Sequence, residues 1–177
     1  MSIAARLLAA VATPLGPGRA EDLQVLSWPG RRLLVQRGDT EVVVRGLDEG
    51  GPEVRIPAPW PLRFGSVTVS PAGDVAVFAG VHALRVVDRS GAVRGEIRHG
   101  CWSDRVCEVA HASFAEYADE FYHAHADRGS AASSPDGKLV SAHVRNGPEG
   151  GVEEEWPVPN PDGAATELLT ATVCNAL

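Results

Sequence analysis

Two cysteines and two histidines in the middle of the chain could bind a metal ion. They are His99, Cys101, Cys107 and His111, in the order H-x-C-x5-C-x3-H. Two thiolates and two imidazoles are a common ligand set for structural zinc, although such sites usually begin with two cysteines separated by about two to four residues. The sequence therefore predicts no cofactor, with zinc bound by these four residues as the alternative.

The same thiols admit two other states. Cys101 and Cys107 could form a disulfide, or both could be free thiols in a loop. The chain has three cysteines, an odd number that does not provide a disulfide framework and is typical of a reducing compartment. The sequence leaves the three states open and predicts a cytoplasmic protein.

A second histidine-rich stretch follows at residues 123–127. Its sequence, His-Ala-His-Ala-Asp, is similar to the H-x-H-x-D start of the metallo-β-lactamase zinc motif. Arg128 stands where that family continues with histidine, so we attribute the match to chance. If the region is one helix, His111 and His125 lie about 21 Å apart along its axis and cannot share an ion.

Residues 110–125 show the spacing of an amphipathic helix. The apolar face comprises Ala110, Phe114, Tyr117, Ala118, Phe121 and His125, and the polar face Glu116, Asp119, Glu120 and His123. The surrounding residues 100–127 carry six acidic side chains and one arginine. We predict an acidic insertion with a short helix whose aromatic stripe packs on the rest of the protein.

Three short turns divide the rest of the chain into similar units. Their sequences are Ser-Trp-Pro-Gly at 27–30, Ser-Pro-Ala-Gly at 70–73 and Ser-Pro-Asp-Gly at 134–137. Each turn leads into a run of alternating apolar residues that is typical of a β-strand. The second and third turns lie further apart than the first and second because the insertion separates them.

Each unit is predicted to contain up to four antiparallel strands. The middle unit has runs at 66–70, 74–79, 83–88 and 92–98, and the first at 23–26, 32–36, 41–45 and 53–56. The third unit has runs at 130–133, 138–144 and 153–158, whereas residues 165–177 lack the strand pattern. This alternation predicts an all-β protein.

These units resemble the blades of WD40-like β-propellers. Residues 83–93 are similar to the third strand, turn and fourth strand of that repeat, with Val87-Asp88 in place of its usual Trp-Asp, and residues 134–140 resemble its S-P-D-G turn. The resemblance implies four-stranded antiparallel blades of a partial β-propeller. The expected boundaries are an N-terminal segment at 1–20, helical or disordered, blades at about 23–60, 64–99 and 128–170, and the insertion at 100–127.

Three blades are too few to close a ring, since propellers have four to eight. We therefore expect one of three situations: a truncated gene product, self-association of several copies that completes the propeller, or an open stack with its end covered by the N-terminal segment.

Composition excludes some classes of partner. The formal net charge is −7, and the basic residues are 15 arginines and Lys138, a bias typical of a GC-rich bacterial genome. A net negative charge does not favour nucleic acid as a partner, and no apolar run reaches the roughly 18 residues that cross a membrane. The usual sequence motifs of hydrolase nucleophiles and phosphate-binding loops are absent.

The preferred hypothesis is a non-enzymatic WD40-like propeller segment that binds proteins as an interaction or scaffold surface. The first alternative is a metal-binding propeller enzyme that uses the Cys/His-rich insertion, with its remaining ligands on other blades. The second is a truncated gene product without function.

Overall fold

A computed structural model of the protein describes residues 12–16, 23–48, 51–101, 107, 110–124 and 129–144, and the backbone of 156–159 and 165–173. These residues form three four-stranded β-sheets. Within the described ranges, the helical segments are a 3₁₀ turn at Leu62–Phe64, another at Phe114–Glu116, and helix α1 at Phe121–Ala124. The all-β class is therefore confirmed.

The first two sheets are antiparallel meanders in chain order. Sheet 1 contains β1 (Leu23–Trp28), β2 (Arg31–Arg37), β3 (Glu41–Gly46) and β4 (Val54–Pro57). Sheet 2 contains β5 (Gly65–Val69), β6 (Val75–Gly80), β7 (Ala83–Asp88) and β8 (Val93–Arg98). Both match the strand runs expected from alternation.

The serine–glycine turns between strands have the geometry that their sequence requires. Gly73 and Gly137 have φ angles of +76° and +72°, in the left-handed region that favours glycine. Their amides donate to the carbonyl oxygens of Ser70 and Ser134 at 2.8 and 3.0 Å. The serine side chains then accept from amides at the start of the next segment, such as that of Val75 at 3.3 Å and Leu139 at 2.9 Å. Each turn is thus closed by both backbone and side chain.

Sheet 2 is covered on both faces. Ala76 and Phe78 of β6 belong to a core shared with sheet 1. The intervening residues of β6, Val77 and Ala79, pack instead with Val140 of sheet 3. Because successive side chains of a strand point to opposite faces, one strand supplies both cores.

Sheet 3 differs from the expected meander. It contains β9 (Ser130–Ser133), β10 (Val140–Val144), β11 (Trp156–Pro159) and β12 (Ala165–Val173), in the order β11-β12-β10-β9. Residues 165–173 form β12 although they lack the alternating pattern of the other predicted strands. Strand β12 pairs parallel with β10 and separates it from β11. Threonine and valine favour strand structure, so β12 can form without an alternation of apolar and polar residues.

The N-terminal segment 1–20 lies outside the described residues except for 12–16. That piece contains a turn closed by the Gly16 amide, which donates to the Thr13 carbonyl at 3.2 Å. It is attached to sheet 1 through the side-chain amide of Gln36, whose Oε1 accepts from the Leu15 amide at 2.8 Å and whose Nε2 donates to the Gly16 carbonyl at 3.1 Å.

The predicted helix over 110–125 is not formed as a continuous element. Only Phe121–Ala124 is α-helical, Phe114–Glu116 is a 3₁₀ turn, and His125 lies outside the described residues. A single helix would hold His111 and His123 about 18 Å apart, because each residue adds about 1.5 Å. Their Nε2 atoms are 3.1 Å apart, so the chain folds back between them. Among the described residues, no helix is long and apolar enough to pass through a bilayer.

Asp88, at the end of β7, organises the turn into β8. Its Oδ1 accepts hydrogen bonds from the Ser90 amide at 2.8 Å, the Ser90 hydroxyl at 2.6 Å and the Ala92 amide at 3.1 Å. Its Oδ2 accepts from Arg94 Nε at 2.6 Å. These hydrogen bonds, that from Ser90 above all, lower the pKa of Asp88 from 3.8 to about 2.

We expect Asp88→Asn to be less stable than the parent at pH 7, because the amide cannot accept as many hydrogen bonds. The folded pKa lies below the unfolded one, so this contribution is present above about pH 4 and is lost as the pH falls toward 2. Thermal denaturation at several pH values measures it. Asp119→Asn, at an exposed position, is the matched control, and equal melting temperatures for Asp88→Asn and the parent at pH 7 would contradict the expectation.

Candidate metal centre

The insertion begins directly after β8 and enters the core shared by sheets 1 and 2. Cys101 is buried, and Tyr117 and Ala124 belong to the same core. The rest of the described insertion, residues 110–124, lies against this core through Tyr117, whose side chain is completely buried. The insertion is therefore attached to the core of sheets 1 and 2 through Cys101, Tyr117 and Ala124.

Four side chains of the insertion bring their ligand atoms together. They are Cys101, Cys107, His111 and His123, and the four atoms all lie within 4.8 Å of one another. Cys107 Sγ is 3.1 Å from both His111 Nε2 and His123 Nε2, and the two Nε2 atoms are also 3.1 Å apart. Two sulfurs and two imidazole nitrogens thus face one small volume.

A carboxylate stands behind each imidazole. Glu116 Oε2 lies 3.3 Å from His111 Nδ1, and Glu120 Oε2 lies 2.8 Å from His123 Nδ1. A carboxylate on one ring nitrogen holds the proton there and leaves the lone pair of the other nitrogen available to a metal. In both histidines Nε2 faces the cluster. His111 Nδ1 is hydrogen-bonded to Glu116, whereas Glu120 lies close to His123 Nδ1 without the geometry of a hydrogen bond.

Burial favours the neutral form of the His123 imidazole, and the neighbouring carboxylates restrict the orientation of both rings. Hydrogen bonds, first that from the Ala112 amide, lower the pKa of Glu116, so this carboxylate is charged at neutral pH. Burial lowers the pKa of His123. A neutral imidazole is the form that binds metal.

The ring of Tyr117 packs against the imidazole rings of both His111 and His123. Its ring is stacked on that of His123, with centroids 5.0 Å apart and an interplanar angle of 27°, and lies 4.9 Å from that of His111. Its hydroxyl is 2.5 Å from Nδ1 of His82, in the turn between β6 and β7. Burial lowers the pKa of His82 to about 4 and raises that of Tyr117, so both groups are neutral at pH 7. One buried hydrogen bond therefore joins the cluster to sheet 2.

The structure changes one member of the ligand set that the sequence predicts. Cys101, Cys107 and His111 lie together as expected, but His99 does not join them. Its Nδ1 is 2.8 Å from the carbonyl oxygen of Gly100, and its amide donates to the His82 carbonyl at 2.9 Å. His99 follows β8 and is held at the junction with sheet 2. Cys101 and Cys107 are not joined by a disulfide.

His123 takes the fourth position, and the sequence reasoning missed it for a physical reason. The helical pattern placed His123 on the polar face of a helix, whereas its side chain is 1% exposed. The available signal was Glu120, three residues before His123, together with the glutamate that follows His111. Histidines with nearby carboxylates are what a metal site with oriented imidazoles requires.

We expect Tyr117→Phe to lower the free energy of unfolding by about 1–3 kcal/mol, because His82 Nδ1 stays buried and loses its partner. The ring and its stacking on His123 are retained, so the change reports on the hydroxyl alone. Urea denaturation measures it. Tyr122→Phe, at an exposed tyrosine, should change stability by less than about 0.5 kcal/mol. Equal losses in the two variants would contradict a special role for the Tyr117 hydroxyl.

Comparison with known proteins adds no family to this description. No protein-family model matches the chain, and no curated protein and no solved structure matches it either. The resemblance to WD40-like repeats stays a prediction from the sequence, and the side-chain geometry of the insertion carries the functional proposal.

Proposed function

We propose that residues 101–123 bind one zinc ion through Cys101, Cys107, His111 and His123, and that the ion fixes the insertion on a non-enzymatic, protein-binding scaffold. The observation that carries the proposal is the convergence of four ligand atoms within 4.8 Å, with a carboxylate behind each imidazole. Hydrogen bonding does not require two imidazole Nε2 atoms and a thiol sulfur to be mutual neighbours at 3.1 Å, whereas coordination of one metal ion brings such atoms together.

The dimensions of the cluster suit zinc. Tetrahedral zinc with bonds of about 2.0–2.3 Å places its nitrogen and sulfur ligands roughly 3.3–3.8 Å apart. The three 3.1 Å separations are a few tenths of an ångström shorter than this, and the set of four atoms extends to 4.8 Å, which is longer. Zinc binding would therefore move Cys107, His111 and His123 slightly apart and bring Cys101 closer to them. Two thiolates would balance the charge of Zn²⁺, and the soft sulfur ligands disfavour magnesium and calcium.

A structural role fits this ligand set better than a catalytic one. Catalytic zinc keeps a coordination position for water or substrate, whereas structural zinc is bound by four protein groups. Cys101 and His123 are 5% and 1% exposed, and Cys107 and His111 are half-buried, so all four proposed ligands are at least partly shielded from solvent. The metalloenzyme alternative would need one of the four ligands to leave.

The scaffold role is supported by the stacked sheets and by the shape of the insertion. The described insertion contains one 3₁₀ turn and one helix of four residues, with few backbone hydrogen bonds of its own. A metal ion supplies the missing constraint, since structural zinc contributes roughly 10–16 kcal/mol of apparent binding free energy in small zinc-binding peptides. We propose a protein as the partner of the surface so formed, and a WD40-like arrangement of the sheets beneath it.

We expect the protein, purified with zinc under reducing conditions, to contain one zinc ion per chain by elemental analysis. Cys107→Ser and His123→Gln should each lose most of the zinc, because each removes a ligand. Cobalt substitution should give the visible absorption of tetrahedral Co²⁺ bound to thiolate in the parent and not in these variants.

Two controls make the test specific. Cys174→Ser changes the cysteine that is not among the four proposed ligands and should keep full zinc, and His99→Gln should keep it as well because His99 is not one of these ligands. A parent protein that binds no zinc after reduction would overturn the proposal. Zinc that is lost from His99→Gln and kept by His123→Gln would overturn the ligand assignment, provided that circular dichroism shows both variants to be folded.

A further inference from the structure

We infer that the Cys/His cluster is a redox switch, in which hydrogen peroxide joins Cys101 to Cys107 by a disulfide and so releases the zinc ion. The inference names a regulation of the proposed zinc site and rests on that site. Zinc has no redox chemistry of its own, so a response to an oxidant belongs to its ligands. Among the four ligands, the two cysteines are the side chains that peroxide oxidises.

The two sulfur atoms are close enough to form a disulfide after a local movement. They belong to the set of four ligand atoms that lie within 4.8 Å of one another. Disulfide-bonded sulfurs are about 2.05 Å apart, so the two atoms would have to approach by less than about 3 Å. Cys101 and Cys107 are not already bonded, so the reduced form is the one that the structure describes.

Burial differs between the two cysteines and sets the order in which they react. Cys101 belongs to the buried core shared by sheets 1 and 2, whereas Cys107 is half-buried and packs against that core. Peroxide from solvent therefore reaches Cys107 first. Cys101 is the neighbouring thiol that converts the oxidised product into a disulfide.

The reaction balances with hydrogen peroxide as the oxidant. The Cys107 thiolate attacks one oxygen of peroxide, the O–O bond breaks, and the products are the Cys107 sulfenic acid and hydroxide. The Cys101 thiolate then attacks the Cys107 sulfur, forms the S–S bond and expels a second hydroxide. The two sulfurs lose two electrons and peroxide gains them, and two protons from solvent convert the hydroxides to water. The zinc ion loses both thiolate ligands and dissociates.

Oxidation changes which parts of the insertion are linked. Zinc would join Cys101, Cys107, His111 and His123, whereas a disulfide joins the two cysteines alone. The hydrogen bond between the Tyr117 hydroxyl and His82, in sheet 2, contains neither sulfur. The oxidised insertion would therefore stay attached to the sheets at Tyr117 and lose the link between its two histidines. Such a local change at a metal site is the usual basis of a redox-controlled conformational change.

The test uses zinc-loaded Cys174→Ser protein, in which Cys101 and Cys107 are the only cysteines. After excess hydrogen peroxide, a chromogenic chelator should detect loss of the whole bound zinc. Trypsin cleaves after Arg105 and separates the two cysteines, so peptides that remain joined without reductant, and separate with it, report the disulfide. Dithiothreitol followed by zinc should restore the original zinc content. His99→Gln in the same background is the matched control and should release zinc at the same rate.

A second readout follows the insertion itself. Amide hydrogen exchange in residues 110–124 should be faster in the oxidised protein, because the histidines are no longer linked. The far-ultraviolet circular dichroism of the strands should be retained, which shows that peroxide has not unfolded the sheets. Equal exchange in the reduced, zinc-loaded and oxidised forms would overturn the conformational part of the inference.

The outcomes separate the switch from the zinc site. Zinc that stays bound in excess peroxide, or that leaves while the two tryptic peptides stay unlinked, would overturn the switch and leave the zinc site intact. Sulfinic acid on Cys107 in place of the disulfide would also overturn it, because thiols do not reverse that product. Protein that contains no zinc before peroxide is added would overturn the zinc proposal, and the switch with it.

Discussion

The reversal of the chain around Tyr117 is the constraint on which the insertion depends. Tyr117 is completely buried, its hydroxyl meets His82 of sheet 2, and its ring supports His123 and His111. A continuous helix would separate these two histidines by about 18 Å. Burial of one tyrosine against the sheets therefore decides which side chains meet, and the chemistry of the cluster follows from that packing.

Local patterns in the sequence were sufficient to predict the strands of sheets 1 and 2 and their antiparallel order. Turn glycines and alternating apolar residues specify hairpins between neighbouring strands, and each strand of these sheets pairs with the next one in the chain. The strand order of sheet 3 could not be predicted from local patterns, because β12 pairs with β10, and β11 lies between these two strands in the sequence. No periodicity within residues 165–173 indicates which strand they will join.

The dependence on non-local structure also explains why the sequence predicted three of the four clustered residues. Cys101, Cys107 and His111 could be recognised from residue type and short spacing. His123 could not be assigned to them, since its position depends on a fold-back that the helical period of the aromatic residues contradicts. His99 satisfied the spacing but follows directly on β8, and its backbone hydrogen bond to His82 keeps it at the sheet. Spacing identifies candidate ligands, while the path of the chain decides among them.

The support of the cluster by a residue of sheet 2 has a consequence for the order of assembly. His82 occupies the tight turn between β6 and β7, a hairpin of low sequence separation that can form early. Cys101 and His123 are 22 positions apart, and docking of Tyr117 between them divides this stretch into two shorter loops, which lowers the entropy cost of bringing the two ligands together. For the proposed zinc site, this order means that the hairpin forms first, Tyr117 docks on it next, and the ion binds last.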